Sequence, residues 1–347
     1  MRFARTLLGE MWEFLEREDP RHAEMNTGRR ETITMEVDID AGPRVAVLMA
    51  VRDGELYLAE QLASLARQRS VSVDLWISDD GSRDASADII RRTAKTWNLG
   101  RVNLLDGPRR GFAENFRSLM IRAEIDADFY AFCDQDDVWD EDKLAHAVDW
   151  LNTQTPGRPA LYCSRTRIIS ADGETIDHSP LFPRAPSFRN AIVQSIAGGN
   201  TMVMNRAARN LLMEASRRAG FVSHDWWCYL IVSGAGGSVY YCPDPRIGYR
   251  QHDDNLVGQN NTWRARMSRL GFLIRGRFQD WNDMNLAGLD ACADLLTGDS
   301  PQVLAHFRDS RSRKLPGRLV SLWRSGAYRQ TAIGELGLYI ACVIGRL

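Results

Sequence analysis

The sequence predicts an α/β fold, a mostly parallel sheet flanked by helices, on the strength of two observations. Short β-branched runs alternate with segments of helical periodicity from residue 44 onward. Acidic and polar clusters fall directly after the strand-like runs, the edge at which open parallel sheets hold their ligands. A length of 347 residues, 44% hydrophobic and 26% charged, is enough for one large core and an appendage.

Residues 1–42 read as an N-terminal appendage, partly helical or disordered: an amphipathic stretch, then a polar segment closed by the loop signal Ala41-Gly42-Pro43. The first strand is expected over 44–51, where an unbroken apolar run suits a strand buried on both faces. A helix follows over 57–68, a strand over 73–78, a helix over 85–97, a strand over 102–105, a helix near 113–122 and a strand over 129–133. Strand, helix, strand in repetition implies parallel pairing through right-handed crossovers. From 161 to 250 the pattern loosens into short strands and helices, read as a second half sharing the same sheet. One sheet-based domain is therefore set at 43–258. Residues 259–347 form a basic, aromatic helical tail with about six more basic than acidic residues.

The bulk numbers exclude several classes. A formal charge of −1 offers no positive field for nucleic acid. Six cysteines without a C-x-x-C pair point to reduced thiols rather than structural zinc or a redox dithiol. Four glutamates, Glu10, Glu13, Glu16 and Glu18, interrupt the N-terminal apolar positions, so no signal-peptide core is expected there. The longest apolar run, 336–344, is too short to span a bilayer. A cytoplasmic chain is expected.

Asp134-Gln135-Asp136-Asp137 follows the apolar run 129–133, which places three carboxylates together at a strand's carboxyl end. Such crowding calls for a cation, and carboxylate oxygens suit Mg²⁺ or Mn²⁺, which keep positions open for water and phosphate. A turn or N-cap is the competing account. Asp79-Asp80-Gly81-Ser82 is either a βα turn or a carboxylate that accepts from the imide N–H of uracil or thymine.

These residues carry a resemblance. Val45-Ala46-Val47-Leu48-Met49-Ala50, Ser78-Asp79-Asp80-Gly81-Ser82, Gly111-Phe112-Ala113-Glu114-Asn115 and Cys133-Asp134-Gln135-Asp136-Asp137-Val138-Trp139 resemble family 2 glycosyltransferases. Gly198-Gly199-Asn200-Thr201, His224-Asp225-Trp226-Trp227 and Tyr249-Arg250-Gln251-His252-Asp253-Asp254-Asn255 are similar to its rhamnosyltransferase-like branch. The resemblance implies a GT-A fold, inversion at the anomeric carbon and a divalent metal at the Asp-x-Asp element. Asp80 then matches the base-reading acid, Asp134 and Asp136 the metal and diphosphate element, and Ala50, Arg52, Asp53, Asp79 and Asn115 further donor contacts. Where such enzymes often have Tyr-Asn, this chain has Arg52-Asp53, which leaves the base less defined than the fold.

An inverting transfer needs one base beside the acceptor hydroxyl. Asp225 is taken as that base, against an N-cap role at a helix start. His224 orients the acceptor or packs. Trp226 and Trp227 form a wall for a sugar ring or belong to the core. Gly199-Asn200 is an acceptor-side loop or a turn. Arg250 is placed on the leaving diphosphate, and His252, with Asp134, Asp136 and Asp137, in the metal shell or in a structural role.

The resulting expectation is an inverting transferase using deoxythymidine-diphosphate rhamnose first and a uridine-diphosphate hexose second. Its acceptor is a glycan or lipid-linked glycan of a growing cell-surface polysaccharide. The tail is expected to attach peripherally to the inner face of the membrane, or else to pack as a helical lid. A nucleotidyltransferase is disfavoured by the acidic loop after the first strand, and an aspartyl-phosphate phosphatase by the position of Asp134. A catalytically silent carbohydrate-binding or scaffold protein remains the non-enzymatic alternative.

Overall fold

The structure, a computed structural model, describes residues 30–33, 42–251 and 277–347. Its main sheet has eight strands in the order β1 (Arg30–Ile33), β4 (Val102–Asp106), β3 (Ser72–Asp79), β2 (Arg44–Val51), β5 (Phe129–Cys133), β10 (Val203–Asn205), β7 (Ala160–Ser164) and β11 (Ser238–Cys242). β4, β3, β2 and β5 are mutually parallel. Val45 through Met49 are wholly buried, as a two-faced apolar run in a parallel sheet should be.

The chain builds outward from β2 to β3 and β4, then returns to place β5 on the other side of β2. That reversal is a topological switch point, and the crevice beyond the carboxyl ends of β2 and β5 is where such a sheet takes a ligand. β10 runs antiparallel between β5 and β7, so its amino end, rather than its carboxyl end, faces the same crevice.

The structure departs from the sequence expectation in two places. Residues 30–33, read as part of the appendage, pair with β4 as an edge strand. The 161–250 half supplies β7, β10 and β11 to the main sheet, but its other strands, β12 (Ile247–Arg250), β8 (Arg167–Ile169) and β9 (Thr175–His178), join the earlier β6 (Val138–Trp139) in a second sheet of order β6, β12, β8, β9.

The C-terminal helices, Arg277–Ala291, Ser300–Ser312, Gly317–Ser325 and Ala332–Ile344, turn one face inward. Leu289, Phe307, Leu322 and Leu338 join the same apolar cluster as the helix His224–Gly234. Tyr328 fastens the connection between the last two helices: its hydroxyl lies 2.9 Å from Ser187 Oγ, and its carbonyl accepts from Asn190 Nδ2 at 2.9 Å. Among the described residues, no helix is long and apolar enough to cross a membrane.

Candidate active site

The switch-point crevice is assembled by backbone-directed side chains. At the end of β2, Gln135 grips Arg52 from both sides, its Oε1 accepting from Arg52 N at 2.8 Å and its Nε2 donating to Arg52 O at 3.0 Å. This amide strap joins the ends of β2 and β5. The Arg52 side chain points outward and is mostly exposed. Asp53, at φ 47°, accepts from Arg83 N at 2.7 Å, while its own N–H donates to Ser82 Oγ at 3.0 Å. Ala50 is half-buried on the last turn of the strand.

After β3, Asp79 and Asp80 divide the work of the turn. Asp79 Oδ1 accepts from the N–H groups of Gly81 and Ser82, closing the turn. Asp80, 3% exposed, accepts from Arg109 N at 2.6 Å and Gly111 N at 2.9 Å, so it draws the loop after β4 onto the end of β3. Burial raises its carboxyl above the usual range, and those backbone donors oppose the rise. Asn115 is buried beside this loop and donates to Ser78 O at 3.0 Å.

The acidic run after β5 splits between two jobs. Asp134 lies close enough to Asp136 and Asp225 that burial, then their charges, push its carboxyl up to about 7. Asp137 instead turns inward, wholly buried, where it accepts from Asn200 Nδ2 at 2.6 Å and Arg250 N at 3.3 Å. Its carboxyl is raised, first by burial and then by Asp136 and Asp134. Beneath the run, Lys143 Nζ sits 3.3 Å from the centre of the Trp139 ring, and burial pulls its pKa down to about 7.

Asp225 occupies the first turn of the helix His224–Gly234, where unpaired N–H groups favour an anion. Ser195 Oγ donates to its Oδ2 at 3.1 Å. His224 stacks on Phe116 at 3.8 Å between ring centres and meets Phe132 edge-on. Burial lowers its pKa to about 4, so the ring is neutral near pH 7.

Of the residues singled out in the sequence, Asp136 and Asp225 both lie near enough to Asp134 for their charges to act on it. Trp226 and Trp227 do not form a wall facing the crevice: they are 6% and 0% exposed, with Nε1 donating to Ala191 O and Ser216 Oγ respectively. Arg250 is equally inward. Its guanidinium holds Asp136 O, Ala171 O and the Glu60 carboxylate while lying over Tyr57 at 4.7 Å. Asn200 is held by Asp137. His252 falls outside the described residues, and among the described residues no group of three or more His, Cys, Asp or Glu side chains is arranged to hold a metal ion.

Gln135, Ser195, Glu60 and Lys143 were not singled out in the sequence. Gln135 had a signal, its place inside the acidic run; Glu60 had none, since its partner lies 190 positions away.

Among the described glycines, Gly199 has the tightest steric constraint. A Cβ on it would lie 1.9 Å from His224 Nε2. Gly199→Ala is expected to lower stability by about 2–3 kcal/mol, the range of overpacked cores, read as a lower denaturant midpoint with an unchanged m-value.

Residues 46–212 match the family model described as "Glycosyl transferase family 2". The chain is similar to the dTDP-rhamnosyl transferase RfbG of Shigella flexneri, 27% identical over 243 residues, which cover 66% of this chain and 80% of that one. Among solved structures, S. aureus TarS 1–349 in complex with UDP-GlcNAc superposes with a TM-score of 0.51 at 16% identity, covering 87% of this chain and 89% of that one. At that identity the likeness is one of fold.

Proposed function

Because the chain belongs to glycosyl transferase family 2 and has a GT-A fold, we propose that it moves rhamnose from dTDP-rhamnose, with inversion, to a glycan acceptor in cell-surface polysaccharide synthesis. The observation that carries this reading is the nearness of Asp136 and of Asp225, at the start of the helix His224–Gly234, to Asp134 at the carboxyl end of β5. The rhamnose assignment is supported by the similarity to the Shigella flexneri protein, with a UDP-hexose as the second choice.

In this mechanism Asp225 takes the acceptor hydroxyl proton. Ser195, donating to one carboxylate oxygen, leaves the other to receive it. Asp134 and Asp136 would hold a divalent cation, Mg²⁺ or Mn²⁺, and its chemistry there is to neutralise the leaving diphosphate. The fit is chemical: a carboxyl pushed to about 7 by burial and neighbouring carboxylates is stabilised in its charged form by a hard cation. Asp137 is already committed to Asn200 and Arg250 and acts in this scheme by positioning the run. Asp80 keeps unused lone pairs on its oxygens after its backbone bonds, enough to accept from the base. Arg52, exposed at the mouth and 3.9 Å from the Asp53 carboxylate, would lie against the base in this scheme. A lipid-linked acceptor would place the reaction at the inner face of the membrane.

The test is thermal unfolding with Mn²⁺ and dTDP, UDP or GDP in turn. A metal-dependent rise in Tm is expected with dTDP, about 2.7 kcal/mol of stabilisation at a hundredfold excess over Kd, and its disappearance in Asp136→Ala. A rise with UDP alone would replace rhamnose by a hexose; no rise with any nucleotide would overturn the reading.

A further inference from the structure

The last two helices are apolar on the side turned away from the core as well as on the side turned toward it. In Ala332–Ile344 the inner residues Leu338, Ala341 and Cys342 are buried. On the opposite side Ile333 and Leu336 are 80% and 62% exposed, and Ile340 and Ile344 continue the row. Spacings of three and four residues put these on one stripe. The preceding helix, Gly317–Ser325, buries Leu322 and presents Val320 and Trp323, the latter 73% exposed. The two helices adjoin, since the Arg318 guanidinium packs against Gly345. A soluble surface helix ordinarily carries charge opposite its buried stripe; these carry large apolar side chains.

The segment that carries this surface is rich in cations, of which Arg313 is paired with Asp309 at 2.7 Å. Residues 313–347 contain Arg313, Lys314, Arg318, Arg324, Arg329 and Arg346 against one acid, Glu335, in a chain whose overall formal charge is −1. Lys314 and Arg324 are exposed and adjoin exposed apolar residues in the chain, Leu315 and Trp323 respectively. Apolar side chains bordered by exposed cations, with an indole at the boundary, match the layered chemistry of an anionic lipid surface: acyl chains below, phosphate headgroups at the rim. A second copy of this chain matches poorly, because a two-fold contact would bring the same cations face to face.

We infer that the outer face of helices 317–325 and 332–344 is a docking surface for anionic lipid bilayers. The inference extends the membrane location proposed above and rests on that reading for its purpose alone, since none of its residues belongs to the site.

The experiment is co-sedimentation of the purified full chain with vesicles of phosphatidylcholine alone or mixed with phosphatidylglycerol. Light scattering in the absence of lipid and the nucleotide-dependent Tm rise are measured on the same samples. Binding is expected to the mixed vesicles, weaker to the neutral ones, and reduced by salt at ~0.5 M. Trp323→Ser with Leu336→Ser, and separately Lys314→Gln with Arg324→Gln, are each expected to lower the partition coefficient by roughly tenfold or more. These substitutions are at exposed positions, so Tm without ligand and the nucleotide-dependent rise should be unchanged. An unbound full chain, binding that survives both double variants, or an oligomer in solution that the apolar variant dissociates would each overturn the docking surface. With the nucleotide response intact, those results leave the transferase reading standing; loss of that response with vesicle binding intact sinks the transferase reading instead.

Discussion

Asp225→Asn is expected to slow sugar transfer by roughly 10²–10⁴-fold, the usual contribution of a positioned general base, while nucleotide binding stays within about twofold of the parent. The amide keeps the volume and can still accept from Ser195 Oγ, which lies 3.1 Å from the present carboxylate. It cannot take a proton. The measurement is kcat alongside the dTDP-dependent Tm rise. A large fall in kcat with an intact Tm rise assigns the loss to chemistry. A variant with near-parental kcat would remove Asp225 from the mechanism and leave it as a helix-start anion. Asp134 adds a second readout: with the Asp225 charge removed, one of the influences raising its carboxyl disappears.

Arg250→Ala is the second change of large effect, and it should act on the fold before it acts on the reaction. The guanidinium is 1% exposed and serves the Asp136 and Ala171 carbonyls, the Glu60 carboxylate and the Tyr57 ring. Hydrogen bonds made by a charged donor are each worth about 1.5–3 kcal/mol, so a loss of ~3 kcal/mol or more is expected after local relaxation. Arg250→Lys should recover little, because an ammonium cannot reach several diverging acceptors with one planar fork. The measurement is the urea midpoint of the two variants. If Arg250→Ala unfolds at the parental midpoint but loses nucleotide binding, the side chain is a donor contact, and the clamp described above is incidental.

How much of this was legible depends on the length of each element. The strands at 44–51 and 129–133 were marked by unbroken apolar runs, and the observed β2 and β5 have those limits. The second sheet left no such trace. β6 is two residues long and β8 three, too short for any periodicity to register. The acidic run was visible, but its division was not. Nothing in the order Asp-Gln-Asp-Asp says that the last carboxylate turns inward, since that depends on Asn200 arriving from 63 positions away. Asn200 arrives there because β10 is antiparallel, so residues before the strand reach a crevice otherwise furnished by residues after strands. Trp226 and Trp227 had a legible clue that was not used: their helix is apolar on every side from Trp226 to Val232, the mark of a helix enclosed by protein. Arg250 was misleading for the opposite reason, because arginine is rarely buried unless paired and its partner Glu60 belongs to a distant helix.

The Gln135 strap has a mechanical meaning. One side chain ties the backbone at the end of β2 to the acidic run after β5 through two hydrogen bonds, so the two segments to which the proposed function gives the nucleotide and the diphosphate are joined directly. In the proposed scheme this would hold the spacing between the Arg52 end of β2 and the carboxylates after β5 steady before a donor enters, and leave any opening and closing to other parts of the crevice.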